Sequence, residues 1–145
     1  MKRLQLEHAL RAAKEITGQT EFVVIGSCSI LGQFPDAPSE LTDLTKDIDI
    51  YPRDRPEFSE VLNTIGVGSP FAITHGFAVD PVGPETALLP KEWEKRLVKV
   101  CNENTSGAIG WCLEVHDVAV AKLAVGRPKD LEFIEGIIRH KLANP

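Results

Sequence analysis

Asp47 and Asp49 stand two apart in the stretch Lys46-Asp47-Ile48-Asp49-Ile50-Tyr51-Pro52, where polar and apolar residues alternate. The alternation predicts a strand with both acids on one face and Ile48 and Ile50 on the other. Carboxylates placed in this way project side by side. They suit a hard divalent cation such as Mg²⁺, which takes oxygen ligands together with substrate phosphates. Two such ions about 3.5–4 Å apart stabilise both the attacking and the leaving oxygen of a phosphoryl transfer. The bland alternative is the solvated face of an edge strand. Upstream, Gly26-Ser27 follows directly on Phe22-Val23-Val24-Ile25. A glycine at the end of a buried strand lets a phosphate approach the backbone, and amides at a following helix start can hold it. Ser27 in that position serves equally as a helix cap, because capping and phosphate binding share one geometry.

The elements that position these residues are legible in outline. Leu4, Leu6, Leu10, Ala13 and Ile16 form a helical stripe over about residues 3 to 17, stopped at Gly18. Phe22 to Ile25 reads as a buried strand, Ser29-Ile30-Leu31 as a short helix ended before Pro35, and residues 35 to 46 as a polar connection. Pro56 opens a helix carrying Phe58, Val61, Leu62 and Ile65 and closed by Gly66. A loop rich in Gly, Ser and Pro leads to a third strand at Phe77-Ala78-Val79-Asp80. Trp93 to Val100 passes from a helical turn into a strand, and Trp111 to Val115 reads as another strand. A helix runs from His116-Asp117 to Gly126, with Asp117 as its cap. Pro128 then starts a last helix with apolar positions Leu131, Phe133, Ile134, Ile137, Ile138 and Leu142.

The chain has 145 residues, which fits one domain and excludes two independent catalytic domains. A composition of 43% hydrophobic and 26% charged residues excludes disorder. The net charge of −5 argues against a general basic coat for nucleic acid while leaving room for a local basic pocket. Arg127 and Lys129, with Lys91, Lys95, Arg96 and Lys99, supply candidates for such a surface. Cys28, Cys101 and Cys112 are odd in number, lack zinc spacing and have no activating partner in sequence. They read as reduced thiols of a cytoplasmic protein. No signal peptide or membrane span is evident.

Gly26-Ser27 followed by Asp47-Ile48-Asp49-Ile50 resembles the signature of the DNA polymerase β-like nucleotidyltransferase superfamily, a Gly-Ser turn before an acid-x-acid strand. The Ser27 to Asp47 interval is longer than that family's, which makes the Pro-containing loop an insertion. His116-Asp117-Val118-Ala119-Val120-Ala121-Lys122-Leu123-Ala124, then Arg127-Pro128-Lys129-Asp130, is similar to the closing helical motif of small bacterial nucleotidyltransferase-like proteins. Those proteins are related to abortive-infection and toxin–antitoxin toxins. The resemblance implies an α/β fold: a short mixed sheet flanked by helices, with a core at about 20–115 and a C-terminal helical pair at about 116–143. It also implies transfer of a nucleoside monophosphate from a nucleoside triphosphate to a hydroxyl acceptor, with Mg²⁺ or Mn²⁺.

Carried over by residue, Asp47 and Asp49 would bind metal and Gly26, Ser27 and Arg127 the nucleotide. Lys122 would contact the phosphates, and Asp130 would position or deprotonate the acceptor. The family's third carboxylate falls to Asp80, with Glu85 as fallback; Asp80 reads also as a turn former before Pro81. Asp130 reads also as an acid favoured at a helix start, and His116 as a structural hydrogen-bonding group. A tRNA end, a protein hydroxyl or a small antibiotic fits as acceptor, and a cognate antitoxin or neighbouring regulator as partner. The competing expectations are an inactive nucleotidyltransferase-like module that binds a nucleotide or a partner protein, and a simple phosphohydrolase.

Overall fold

The computed structural model describes residues 1–44 and 46–145; Thr45, in the expected polar connection, lies outside the described residues. Helix α1 (Arg3–Thr17) buries Leu6, Leu10 and Ala13, with Ala9 and Ala12 beside them. Leu4, expected on the same stripe, is 67% exposed. It precedes Leu6 by two residues, about 200° around the helix, and so faces away from the core.

Five strands, β1 (Glu21–Ile25), β2 (Asp47–Pro52), β3 (Ala78–Pro81), β4 (Val98–Val100) and β5 (Ile109–Cys112), form one mixed sheet in the order β3-β2-β1-β5-β4. β1 pairs antiparallel with β2 and parallel with β5; β2 pairs parallel with β3, and β4 antiparallel with β5. Alternation sorts the strand residues onto two covered faces. Phe22, Val24, Ile48, Ile50 and Val79 join Leu6 and Leu10 in one core layer, together with Leu62 and Ile65. Val23, Ile25 and Tyr51 join Val118, Phe133 and Ile137 in the other. The expected mixed α/β fold with a C-terminal helical pair is therefore present.

Several elements differ from expectation. The segment Pro56–Ile65 is a 3₁₀ helix. At three residues per turn its buried pair is Leu62 and Ile65, and Val61 turns outward. The loop before β3 contains helix α4 (Pro70–His75), capped by the Ser69 hydroxyl, which accepts from the Ala72 N–H at 3.1 Å. Its start and stop residues, Ser69-Pro70 and Gly76, were a helix signal that the Gly and Pro content obscured. After the 3₁₀ turn Ser27–Ser29 and helix α2 (Ile30–Gln33), the connection holds a further turn, α3 (Ser39–Thr42), whose Leu41 is buried. β5 starts two residues earlier than expected, through Gly110, where a Cβ would lie 2.6 Å from Leu10 Cδ1. That glycine lets α1 approach the sheet closely, a role that reads as a turn in sequence.

Helices α5 (Val115–Val125) and α6 (Pro128–Arg139) close the chain. α5 is capped by Glu114, whose carboxylate accepts from the His116 N–H at 2.8 Å, and not by Asp117. On α6, Phe133 and Ile137 are buried while Leu131 and Ile138 are exposed. Among the described residues, no helix is long and apolar enough to cross a membrane.

Candidate functional site

The site is assembled by strand register. β1 ends at Ile25, paired with Asp49, so the Gly26-Ser27 turn emerges beside that acid. Asp49 is in turn paired with Asp80 on β3, which sets the two carboxylates side by side on one face. Asp47 lies two residues back on the same face. Gly26 has φ 76° and ψ −174°, a conformation essentially confined to glycine, and a Cβ there would sit 2.6 Å from Asp49 Oδ2. The chain bends at this point because no side chain intervenes. Ser27 is buried, and among the described residues its hydroxyl has no hydrogen-bond partner. Ser29, two residues on, spends its hydroxyl on the Gly26 carbonyl at 2.6 Å.

These residues line a cleft of about 200 Å³ together with Lys122, Arg127 and Lys129. Gly26, Ser27, Asp47, Asp49, Asp80, Lys122 and Arg127, all expected at a site, therefore come together. Asp130 does not line the cleft. It is fully buried, and its carboxylate accepts from Arg127 Nε at 2.8 Å and from Lys122 Nζ at 3.4 Å. The Arg127 guanidinium holds the Asp130 carboxyl below the usual carboxylate range. A group so held is a poor base, so the expected deprotonating role does not fit its placement.

The carboxylate side is electrostatically unfavourable on its own. Burial, the Asp80 charge, a hydrogen bond with Asp80 and the Asp47 charge together push Asp49 up to about 7, against a smaller opposing effect of Lys122. Burial and the Asp80 charge also raise Asp47. Asp49 therefore keeps a proton well above the usual carboxylate range. Among the described residues, no three His, Cys, Asp or Glu side chains stand as a preassembled metal cage. The donor set is nonetheless all oxygen, and like charges crowded on one face gain most from a hard divalent cation. An unpartnered buried hydroxyl beside them supplies a further group for a ligand. The residues present thus fit Mg²⁺ with a phosphate substrate.

A family model described as nucleotidyltransferase of unknown function (DUF6036) matches residues 4–142. The chain belongs to that nucleotidyltransferase family. No curated protein and no solved structure gives a significant match.

Other candidates of this nucleotidyltransferase lie apart from the cleft. Asp117 is buried and accepts a fork from Arg96, Nε on Oδ2 and Nη2 on Oδ1, each at 2.9 Å. Arg96 is therefore committed to structure and not to a phosphate-binding surface. Lys95 pairs with Glu92 at 3.2 Å, and Lys99 lies 5.9 Å from the Trp111 ring centroid; of the expected basic surface Arg127 and Lys129 line the cleft, with Lys122 beside them, while Lys91, Lys95, Arg96 and Lys99 do not. His116 bonds Glu114 through Nδ1 and accepts from the Asn144 N–H through Nε2. Glu85 lines a neighbouring pocket, which Asp80 also borders, and not the cleft itself. Cys28 and Cys112 are buried, with burial pushing both thiols up to about 12. Leu44 is a lining residue that sequence reasoning missed, and its identity carries no chemical signal.

Proposed function

We propose that this nucleotidyltransferase moves a nucleoside monophosphate from a nucleoside triphosphate to a hydroxyl acceptor, with Mg²⁺ or Mn²⁺ at Asp47, Asp49 and Asp80. The observation that carries the reading is one cleft lined by three aspartates, three cations and the Gly26-Ser27 turn. Gly26 admits a phosphate close to the backbone, and the buried Ser27 hydroxyl, with no hydrogen-bond partner among the described residues, donates to a phosphate oxygen. Lys122 and Arg127 draw the phosphate chain and offset charge that develops on the leaving pyrophosphate. Bound Mg²⁺ supplies charge neutralisation at the reacting phosphate and lowers the pKa of a coordinated hydroxyl. Among the cleft carboxylates, Asp49, raised to about 7, is in its deprotonated form the group suited to accept the acceptor's proton.

The chain is read within the DNA polymerase β-like superfamily, in a small bacterial, cytoplasmic branch related to toxin–antitoxin proteins. The cleft fits an acceptor presented by one end: an RNA terminus such as that of tRNA, a protein hydroxyl or a small molecule. The test is incubation with Mg²⁺, each α-labelled nucleoside triphosphate, and RNA or protein extract. Label should move to an acceptor and fail to move with Asp49→Asn. Folded protein that labels nothing, or an Asp49→Asn variant that labels as well as the parent, would refute the reading. Failure to label together with a co-purifying partner would favour the inactive binding module.

A further inference from the structure

Asp130 takes no direct part in the chemistry proposed above, yet it is fully buried and its carboxylate holds cations from two elements of the cleft wall. Arg127 meets it as a fork, Nε 2.8 Å from Oδ2 and Nη2 3.2 Å from Oδ1, while the Arg127 N–H donates to Oδ2 at 3.1 Å. Lys122, on α5, donates from Nζ to Oδ1 at 3.4 Å and lies over the Phe133 ring at 4.9 Å from its centroid. One carboxylate thus fixes the separation of two long side chains that would otherwise each sample several rotamers. Ordering such a side chain on binding costs about 0.5–1.5 kcal/mol, a cost already met in the folded protein. Both cations also lie close enough to Asp49 for their charges to act on one another across the cleft. A phosphate chain in the cleft therefore meets aspartates together with a cation pair held at one fixed separation.

We infer that Asp130 is a positioning residue: it locks Lys122 and Arg127 into a fixed pair, and that pair reads the length of the phosphate chain, favouring a triphosphate over a diphosphate. The inference rests on the reading of the cleft as a triphosphate site. Charge alone gives a different outcome. Removing a buried anion leaves both cations in place and strengthens attraction for every polyanion. What the loss of Asp130 removes is the geometry that tells one chain length from another.

The experiment measures binding of inorganic tripolyphosphate and of pyrophosphate, each as its Mg²⁺ complex, by calorimetry, so that base preference plays no part. The variants are Asp130→Asn, which keeps the size of the side chain and an acceptor for the Arg127 N–H, Arg127→Gln, and the two combined. The parent should prefer tripolyphosphate by about tenfold or more, and Asp130→Asn should reduce the preference to about threefold or less. The effects of Asp130→Asn and Arg127→Gln should combine less than additively in the double variant, because Asp130 acts in part through Arg127 and in part through Lys122. A ratio of two dissociation constants is independent of the fraction of protein that is folded, so a purely structural role would leave it unmoved. An unchanged ratio in folded Asp130→Asn, or a parent that binds both polyphosphates equally, would overturn the inference while leaving the site reading intact. A parent that binds neither would overturn both. If Asp130→Asn does not fold, Lys122→Met combined with Arg127→Gln takes its place: lost discrimination supports the inference, and retained discrimination overturns it.

Discussion

Replacing Asp49 by Asn should make the protein more stable at alkaline pH, although it removes a residue central to the proposed site. In the fold, burial and the neighbouring Asp80 and Asp47 raise Asp49 from its ordinary 3.8 to about 7. The folded protein therefore keeps a proton that the unfolded chain has released. For an acid raised in this way, the stabilisation is fully present below about pH 4 and is lost as pH rises through about 7. The gap corresponds to at most about 4 kcal/mol, and partial exposure together with the interaction with Asp80 brings the expected effect to about 2–3 kcal/mol. Asn carries no charge at any pH and can still bond Asp80. Without divalent cations the variant should match the parent only below about pH 4, be slightly more stable at pH 5, and melt roughly 5–10 °C higher at pH 8, given about 2–4 °C per kcal/mol for a chain of this size. Mg²⁺ at pH 8 should raise the parent's melting temperature and do much less for the variant. The assay is a set of thermal melts at pH 5 and pH 8, with and without Mg²⁺. Parallel pH dependence in the two proteins, or a variant less stable than the parent at pH 8, would refute the electrostatic reasoning.

Ser27→Ala removes a buried hydroxyl without a partner among the described residues, so stability should stay within about 0.5 kcal/mol. Triphosphate affinity, read by calorimetry, should fall roughly tenfold through loss of a charge-assisted hydrogen bond. Gly26→Ala forces a side chain into a positive-φ conformation and against Asp49; chemical denaturation should show a loss of about 1–3 kcal/mol, with triphosphate binding weakened as well. Arg96→Ala leaves the Asp117 carboxylate buried without its fork. It should lower stability in the same assay, because the buried carboxylate loses its partner, with triphosphate affinity per folded molecule unchanged, since neither residue lines the cleft.

The legible parts of the site were those encoded within a few residues. Asp47 and Asp49 share a face because strand alternation has a period of two, and nothing distant is needed to establish that. Gly26-Ser27 is likewise a local signal, a glycine at the end of a β-branched and aromatic run. Asp80 was different: its candidacy depended on which strand β3 would pair with and in what register, and that is decided by the sheet order β3-β2-β1. Asp117 and Asp130 show the same limit from the other side. Both stand at the start of a helix, where an acid is favoured by the macrodipole, and sequence offers no way to tell that one is forked by Arg96 and the other by Arg127. Long-range pairing decides which charges remain available to a ligand, and here it withdrew Arg96 and left Lys129.

The same pairing explains how a cleft of opposed charges persists without collapsing on itself. Aspartates and cations lining one cleft would satisfy each other directly if the long side chains were free to reach the carboxylates, and a site closed by its own ion pairs would have little left to offer a phosphate. Asp130 opposes that by giving Arg127 three bonds and Lys122 one. Asp49, crowded by Asp80 and Asp47, keeps a proton up to about pH 7. Under the proposed function both arrangements are provisional in the same sense: a divalent cation would displace the proton, and a phosphate chain would engage the cations without detaching them from Asp130. Stability withheld at the carboxylates is thus recovered on binding, which is why the predicted gain of Asp49→Asn at pH 8 and its failure to respond to Mg²⁺ must occur together. A variant showing the first without the second would mean that the repulsion is real but that the metal binds elsewhere.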